Sequence, residues 1–277
     1  MGFRINTNIA SIAAQRSLSN SNRSSQETLA KLSSGSRISK SADDAAGLAI
    51  SEKLKSQIRS SNQANRNAND GISMVQVAEG GLDEVSNMLT RLRELSIQAA
   101  SDTVGDTERS FTDLEYQNLK QEIQRISEVT EFNGTKLLSG DGGNLDFQIG
   151  INNDDFQDRI QFDTAEQNAS IESLGIDGIG VASKDDAQDA LENIDAAIER
   201  VSGQRANLGA IQNRLVSTSK NLETSVENLS AANSRIRDVD YAKASADNAK
   251  NNILNQAGTS VLAQANAQGQ NALRLIG

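Results

Sequence analysis

The sequence predicts a mainly α protein: a long antiparallel, coiled-coil-like helical bundle with a small β-hairpin region, its N- and C-terminal helices paired. Three observations carry that reading. Ile194, Val201, Leu208, Leu215, Leu222, Leu229 and Ile236 recur every seven residues without a break. Leu54, Ala68, Val75, Leu82 and Leu89 fall on a second heptad line, weakened at Ser61, with Ile58 and Ile72 on the neighbouring line. A repeat of 3.5 residues per turn keeps one stripe aimed at a partner helix over many turns, and each line is long enough to serve the other. Only between residues 145 and 162 does the period fall to two, at Leu145, Phe147, Ile149 and Ile151, then Ile160 and Phe162.

Taken in order, residues 1–33 read as a helix with Ile5, Ile9 and Ile12 at helical spacing and a polar middle. Ser33 to Asp44 is a break, with Asp43 or Asp44 placed to cap the next helix. Residues 45–100 read as one helix, with Leu92, Leu95 and Ile97 continuing its apolar face. Gly80-Gly81 inside it costs on the order of 1 kcal/mol per glycine relative to alanine, so a local weakness or a close contact is expected there. After a turn at 102–107, a third helix carries Phe111, Leu114, Ile123, Ile126 and Val129 on its packed side, and Asn133-Gly134 supplies turn chemistry. Two short strands come next, then an irregular stretch over 163–184. The long heptad helix runs from about 185 to 236, and a last helix over about 240–275 carries Ile253, Ala257, Val261, Leu262 and Leu275.

The expected domains are residues 1–44 with 237–277, a pair of terminal helices; 45–162 with 185–236, a long helical bundle or rod with a β-hairpin at about 135–162; and 163–184, a short loop. The rod core is expected at Leu54, Ile58, Ile72, Val75, Leu82 and Leu89, facing the heptad from Ile194 to Ile236. Narrow apolar stripes among Asn, Ser and Gln leave the terminal helices poorly able to offset ordering entropy alone. Ile5, Ile9, Ile12, Ile253, Ala257, Val261, Leu262 and Leu275 are therefore assigned to assembly with neighbouring chains.

Composition narrows function further. The chain has no His, Cys, Pro or Trp. Without His and Cys, imidazole bases, thiolate nucleophiles and the commonest zinc ligands are missing, so no catalytic, metal or cofactor site is expected. Asp154-Asp155, Asp185-Asp186 and the glycine-rich 140–144 segment lack EF-hand spacing. A net charge of −10 argues against nucleic acid. No apolar run reaches the length of a secretory signal core or a membrane span.

The end motifs are more specific. They include Phe3-Arg4-Ile5-Asn6-Thr7-Asn8, Leu32-Ser33-Ser34-Gly35, and Asp43-Asp44-Ala45-Ala46-Gly47-Leu48-Ala49-Ile50-Ser51. Asp70-Gly71-Ile72-Ser73, Arg93-Glu94-Leu95, Glu131-Phe132-Asn133-Gly134, Ser234-Arg235-Ile236 and the run from Gln256 to Asn266 complete the set. Over nearly its whole length the chain resembles bacterial flagellins, in a short form lacking large outer domains. Gly81 stands where the family usually has Ala.

That resemblance implies a filament subunit for swimming motility, exported unfolded by the flagellar type III system. It implies a channel-lining domain of paired terminal helices, and a self-assembled helical polymer that can include other flagellins. A hook-associated junction protein, or a minor flagellin of a mixed filament, is the alternative. The implied partners are an export chaperone, the filament cap and hook-junction proteins. Toll-like receptor five joins them, through the matching positions Arg91, Leu95 and Glu115. The implied location is the secreted flagellar filament.

Overall fold

The computed structural model describes residues 7–274, with side chains through residue 267. Six helices and two strand pairs succeed one another among these residues. They are α1 (Ile9–Ser34), α2 (Ala45–Ala99), α3 (Asp106–Val129), β1 (Glu131–Phe132), β2 (Thr135–Lys136), β3 (Asn144–Gln148), β4 (Arg159–Asp163), α4 (Ile171–Leu174), α5 (Lys184–Arg237) and α6 (Tyr241–Arg274). The chain divides into two compact units, residues up to 56 together with those from 228, and residues 57–227.

The helix ends reflect local chemistry. Asn8 caps α1 by accepting the Ser11 N–H at 3.1 Å, and Gly35 ends it in the left-handed conformation that glycine adopts without strain. Of the two carboxylates expected at the start of α2, Asp44 is the cap, accepting the Gly47 N–H at 2.9 Å. Asp43 instead turns back onto the N–H groups of Ser39 and Lys40, both at 3.0 Å. Those backbone donors hold its carboxyl below the usual range. Ser183 accepts the Asp186 N–H and returns its hydroxyl proton to the Asp186 carboxylate at 2.6 Å, a reciprocal cap for α5.

In the 57–227 unit, α2 and α5 run antiparallel. Arg93 pairs with Asp195 at 2.6 Å, Arg205 with Asp83 at 2.9 Å, and Ser219 donates to Asn65 at 2.6 Å, so partners descend one helix as they climb the other. Between them Val75, Leu82, Leu89, Ile194, Leu208 and Leu215 are fully buried and Val201 nearly so. Burying each such side chain contributes about 1.5–3 kcal/mol against ordering entropy. Ile58, Ile72 and Leu222, expected in the core, are only partly buried.

Three features of this unit differ from the sequence reading. The inner face of α3 is Arg109, Thr112, Tyr116, Lys120, Ile123 and Ser127, whereas Phe111, Leu114 and Val129 are exposed. Ile97 on α2 is also exposed. The α3 face turns polar because it packs against backbone that needs donors. Lys120 Nζ donates to the Ile179 carbonyl at 2.8 Å, and Arg109 donates to the carbonyls of Ala99 at 2.9 Å and Ser101 at 3.0 Å. Residues 163–184 are more than a connecting loop. They contain α4 and send Ala169, Leu174, Ile176 and Val181 into the core.

The β region consists of two separate antiparallel pairs, β1 with β2 and β3 with β4. Asn133 and Gly134, at φ 50 and φ 79, make the two-residue turn between the first pair. In the second pair Leu145 faces Phe162 and Phe147 faces Ile160, while Ile149 and Ile151 lie beyond the end of β3. The turn between β3 and β4 is organised by Asp158. Its buried carboxylate accepts the N–H groups of Asn152 at 3.3 Å and Asp154 at 3.1 Å.

Glycines in α2 seat these pairs on the helix. The Phe147 ring lies 3.1 Å from where a Cβ on Gly71 would stand. Leu138 and Thr130 close on Gly81 in the same way, while Gly80 faces open space. Helix α2 runs through both glycines unbroken, so the close contact, and not the weakness, is the reason for Gly81.

In the other unit, α1 and α6 pair along their length. The connections beside them are tied as well. Arg37 N–H donates to the Arg237 carbonyl at 2.6 Å, Val239 N–H to that of Gly35 at 3.0 Å, and the Arg37 guanidinium to that of Ile236 at 2.6 Å. The ends of α2 and α5 in this unit meet through Ser51, which donates to Asn233 at 2.8 Å, and Arg237, paired with Glu52 at 2.6 Å. Leu54, Leu229 and Ile236, expected in the rod core, belong here and are partly buried.

Candidate assembly surface

The α1–α6 pair is held by small and polar groups. Asn8 Nδ2 donates to the Ala265 carbonyl at 2.9 Å and Ser11 to Asn266 Oδ1 at 2.7 Å, at one end of the pair. Farther along, Asn251 lies 3.5 Å from both Ser21 and Thr28. The helices approach closely at Gly258, where an added Cβ would stand 3.2 Å from Leu18 Cδ1. No residue of α1 is fully buried, and α6 buries only Ala244 and Ala265 among its described side chains.

Most of the large apolar side chains described in these helices face outward. Ile9, Ile12, Leu29, Ile253, Leu254 and Val261 are all about half exposed or more, at 63%, 57%, 59%, 66%, 48% and 55%. Ala257 is exposed and Leu262 partly buried. A cleft of about 540 Å³ between the helices is floored by Ala10, Ala14, Leu18, Ala257 and Val261. Ile5 and Leu275 lie outside the described residues. Isolated exposed apolar residues are ordinary, but a row of them along paired helices with almost no buried face points to a missing partner surface.

A second surface lies on α2 and α3. Arg91 reaches Glu115 and Glu94, both at 2.9 Å, and these two acceptors raise its pKa. All three are exposed, and an exposed pair of this kind contributes little stability. Leu95 is not on that surface. It is 2% exposed and packs in the core with Leu92 and Leu89. The structure thus brings Arg91 and Glu115 together and separates Leu95 from them.

Sequence reasoning missed the buried polar residues. Arg109 fastens the corner between α2 and α3, adding a 2.8 Å pair with Asp106 to its two carbonyl bonds. Lys120 and Gln117 both donate to Ile179, and Asp113 accepts the Val181 N–H at 2.9 Å. Burial lowers the Lys120 pKa, partly offset by Asp177 and Asp113. Their spacing of three and four along α3 is the signal that could have found them.

No helix among the described residues is long and apolar enough to cross a membrane, and no group of three potential metal ligands is found there. What the arrangement offers is exposed apolar surface for association.

Comparisons with known proteins agree with that arrangement. Residues 5–142 match the bacterial flagellin N-terminal helical region, and residues 191–276 the bacterial flagellin C-terminal helical region. A flagellin of Halalkalibacterium halodurans is 43% identical over 272 residues, covering 98% of this chain and 99% of its own. One from Bacillus subtilis is 43% identical over 313 residues, covering 99% and 100%. The crystal structure of Bacillus cereus flagellin superposes with a TM-score of 0.50 at 29% identity, covering 61% of this chain and 94% of that one. A candidate flagellar hook-associated protein from Vibrio parahaemolyticus, at 15% identity and a TM-score of 0.60, covers 71% of this chain and 100% of that one, and shows the fold alone. Two matched regions spanning both ends, and relatives aligned over almost their full length, place this chain in the bacterial flagellin family.

Proposed function

We propose that this chain is a structural subunit of the flagellar filament, and that its α1–α6 pair carries assembly while the 57–227 unit supplies a preformed rod. The observation that carries the reading is the outward row of Ile9, Ile12, Ile253 and Val261 on helices that bury almost nothing of their own. A helix pair of this kind gains order only when neighbouring copies cover its apolar side chains. The rod needs no such help where its heptad, from Ile194 to Leu215, is already covered within the chain. Identity with flagellins along the whole length supports this over the hook-junction alternative, which rests on a shared fold.

Export in an unfolded state, a chaperone that shields the C-terminal helix, and capping at the growing end fit the same division of labour. A chain without Cys or Pro passes through a narrow channel with no crosslink and no slow prolyl isomer. Recognition by Toll-like receptor five would fall to Arg91 and Glu115, with Leu95 acting from beneath by fixing the helix that carries Arg91.

The test is removal of residues 240–277. The truncated chain is expected to keep a helical, cooperatively melting rod and to lose polymerisation. Normal filaments from it would overturn the assignment.

A further inference from the structure

We propose that Asp177-Gly178 is a self-modification site, at which the chain slowly converts its own aspartate to isoaspartate. The Gly178 N–H donates to its neighbour's carboxylate, Asp177 Oδ1, at 2.9 Å. The carbon one bond from that oxygen is the one a backbone amide attacks to close a succinimide. The hydrogen bond keeps the nitrogen close to that carbon, which reduces the ordering cost of such a step. Gly178 has φ 70 and nothing within 4 Å of where a Cβ would stand, so no side chain blocks ring closure. Both residues are exposed, and water can enter.

The step balances with water alone. The Gly178 nitrogen bonds to the Asp177 side-chain carbon, and the carboxyl's hydroxyl leaves with the amide proton as water. A second water then opens the ring. Opening at the side-chain carbonyl restores aspartate. Opening at the main-chain carbonyl routes the peptide bond through the side chain and adds one carbon to the backbone.

The chain holds its own controls. Asp70-Gly71 lies within α2, where the buried glycine sits under the Phe147 ring. At Asp141-Gly142, a Cβ on the glycine would stand 2.6 Å from the Lys136 carbonyl oxygen. Asn133-Gly134, intrinsically the most reactive pair, is fixed in a two-residue turn closed by Phe132 and Thr135. Only at 177, of these four pairs, does the side chain accept the N–H of its own glycine.

Conversion at 177 would matter because the flanks are anchored. Ile176 is fully buried. The Ile179 carbonyl holds Lys120, and the Val181 N–H is held by Asp113. An extra backbone carbon between the buried Ile176 and the α3-bound Ile179 and Val181 strains these contacts.

The experiment incubates the intact folded chain at neutral pH for weeks and maps isoaspartate by peptide mass spectrometry, beside a sample held unfolded in urea. In the folded chain, residue 177 is expected to convert roughly tenfold faster than residues 70 and 141, and the three rates are expected to converge on unfolding. Equal rates in the folded chain, or the same excess at 177 in urea, would overturn the proposal. Asp177→Glu, which lengthens the ring, should abolish the signal at 177 and leave the other sites unchanged. Persistence of that signal would count equally against it.

Discussion

Gly81 lies directly beneath Leu138: a Cβ on the glycine would stand 2.8 Å from Leu138 Cδ1 and 2.9 Å from Thr130 Oγ1. The glycine one residue earlier, Gly80, faces nothing within 4 Å. Adjacent positions in one helix therefore carry opposite constraints. Gly81→Ala is expected to lower stability by about 1–3 kcal/mol through overpacking. Gly80→Ala is expected to raise it by about 0.5–1 kcal/mol through helix propensity. Chemical denaturation of the two single variants checks the sign of each.

The rotation of α3 makes a second contrast. Leu89→Ala opens a void in a fully buried site and should cost about 2–5 kcal/mol. Leu114→Ala, at a side chain 62% exposed, should leave monomer stability within about 0.5 kcal/mol. A large loss at Leu114 would mean that α3 packs through its apolar side after all.

Arg109 offers a third. Replacing it with alanine strips a donor from the buried C-terminal end of α2, leaving the Ala99 carbonyl unpaired at a cost of about 1–3 kcal/mol. Amide exchange should accelerate first at the corner between α2 and α3, before the middle of either helix responds.

Tyr116 gives a pH dependence with a definite sign. Burial, reinforced by Asp113, pushes its pKa from 10.0 up to about 12. Among the described residues its hydroxyl meets no partner at full hydrogen-bond geometry, although Ser96 lies near enough to lower the value slightly. The folded state holds this proton more tightly than the unfolded state. The contribution is therefore whole below pH 10.0 and is lost as pH rises through about 12. Lys120 works the other way. Its lowered pKa makes the charged form a cost that is relieved as pH climbs past that value. The chain has two tyrosines, so in a Tyr241→Phe variant the phenolate absorbance reports Tyr116 alone. Its midpoint should fall near 12 and return toward 10.0 in denaturant.

A last prediction concerns assembly. Val261→Asp should block polymerisation while leaving the 57–227 unit's melting unchanged. Residues 7–34 and 241–267 should exchange amide protons fast in the monomer and slowly in the filament. Equal protection in both states would contradict the role given to these helices.

The heptads were legible where they are buried, from Ala68 to Leu89 and from Ile194 to Leu215, because there period alone reports the contact. At Leu54, Ile58, Leu222, Leu229 and Ile236 the same period continues over partly buried side chains. The α3 face was not. Its inward positions are Arg109, Thr112 and Lys120, which hydropathy ranks as surface residues, and only the carbonyls opposite them explain their burial. Residues 163–184 escaped for a related reason. Core residues at Ala169, Leu174, Ile176 and Val181 obey no period, because a chain held by side-chain donors needs no regular ladder. At the ends, the sequence identified which helices were weak but not which way Ile9, Ile12, Ile253 and Val261 would face.

An interface drawn from Ala, Ser, Asn and singly spaced Ile or Val contributes little per contact, and a dimer of such chains gains almost nothing. Only a lattice in which each copy meets several others at once adds these increments past the ordering cost. The α1–α6 pair should therefore give polymer growth a sharp critical concentration. Below that threshold the chains stay dispersed, aided by a net charge of −10.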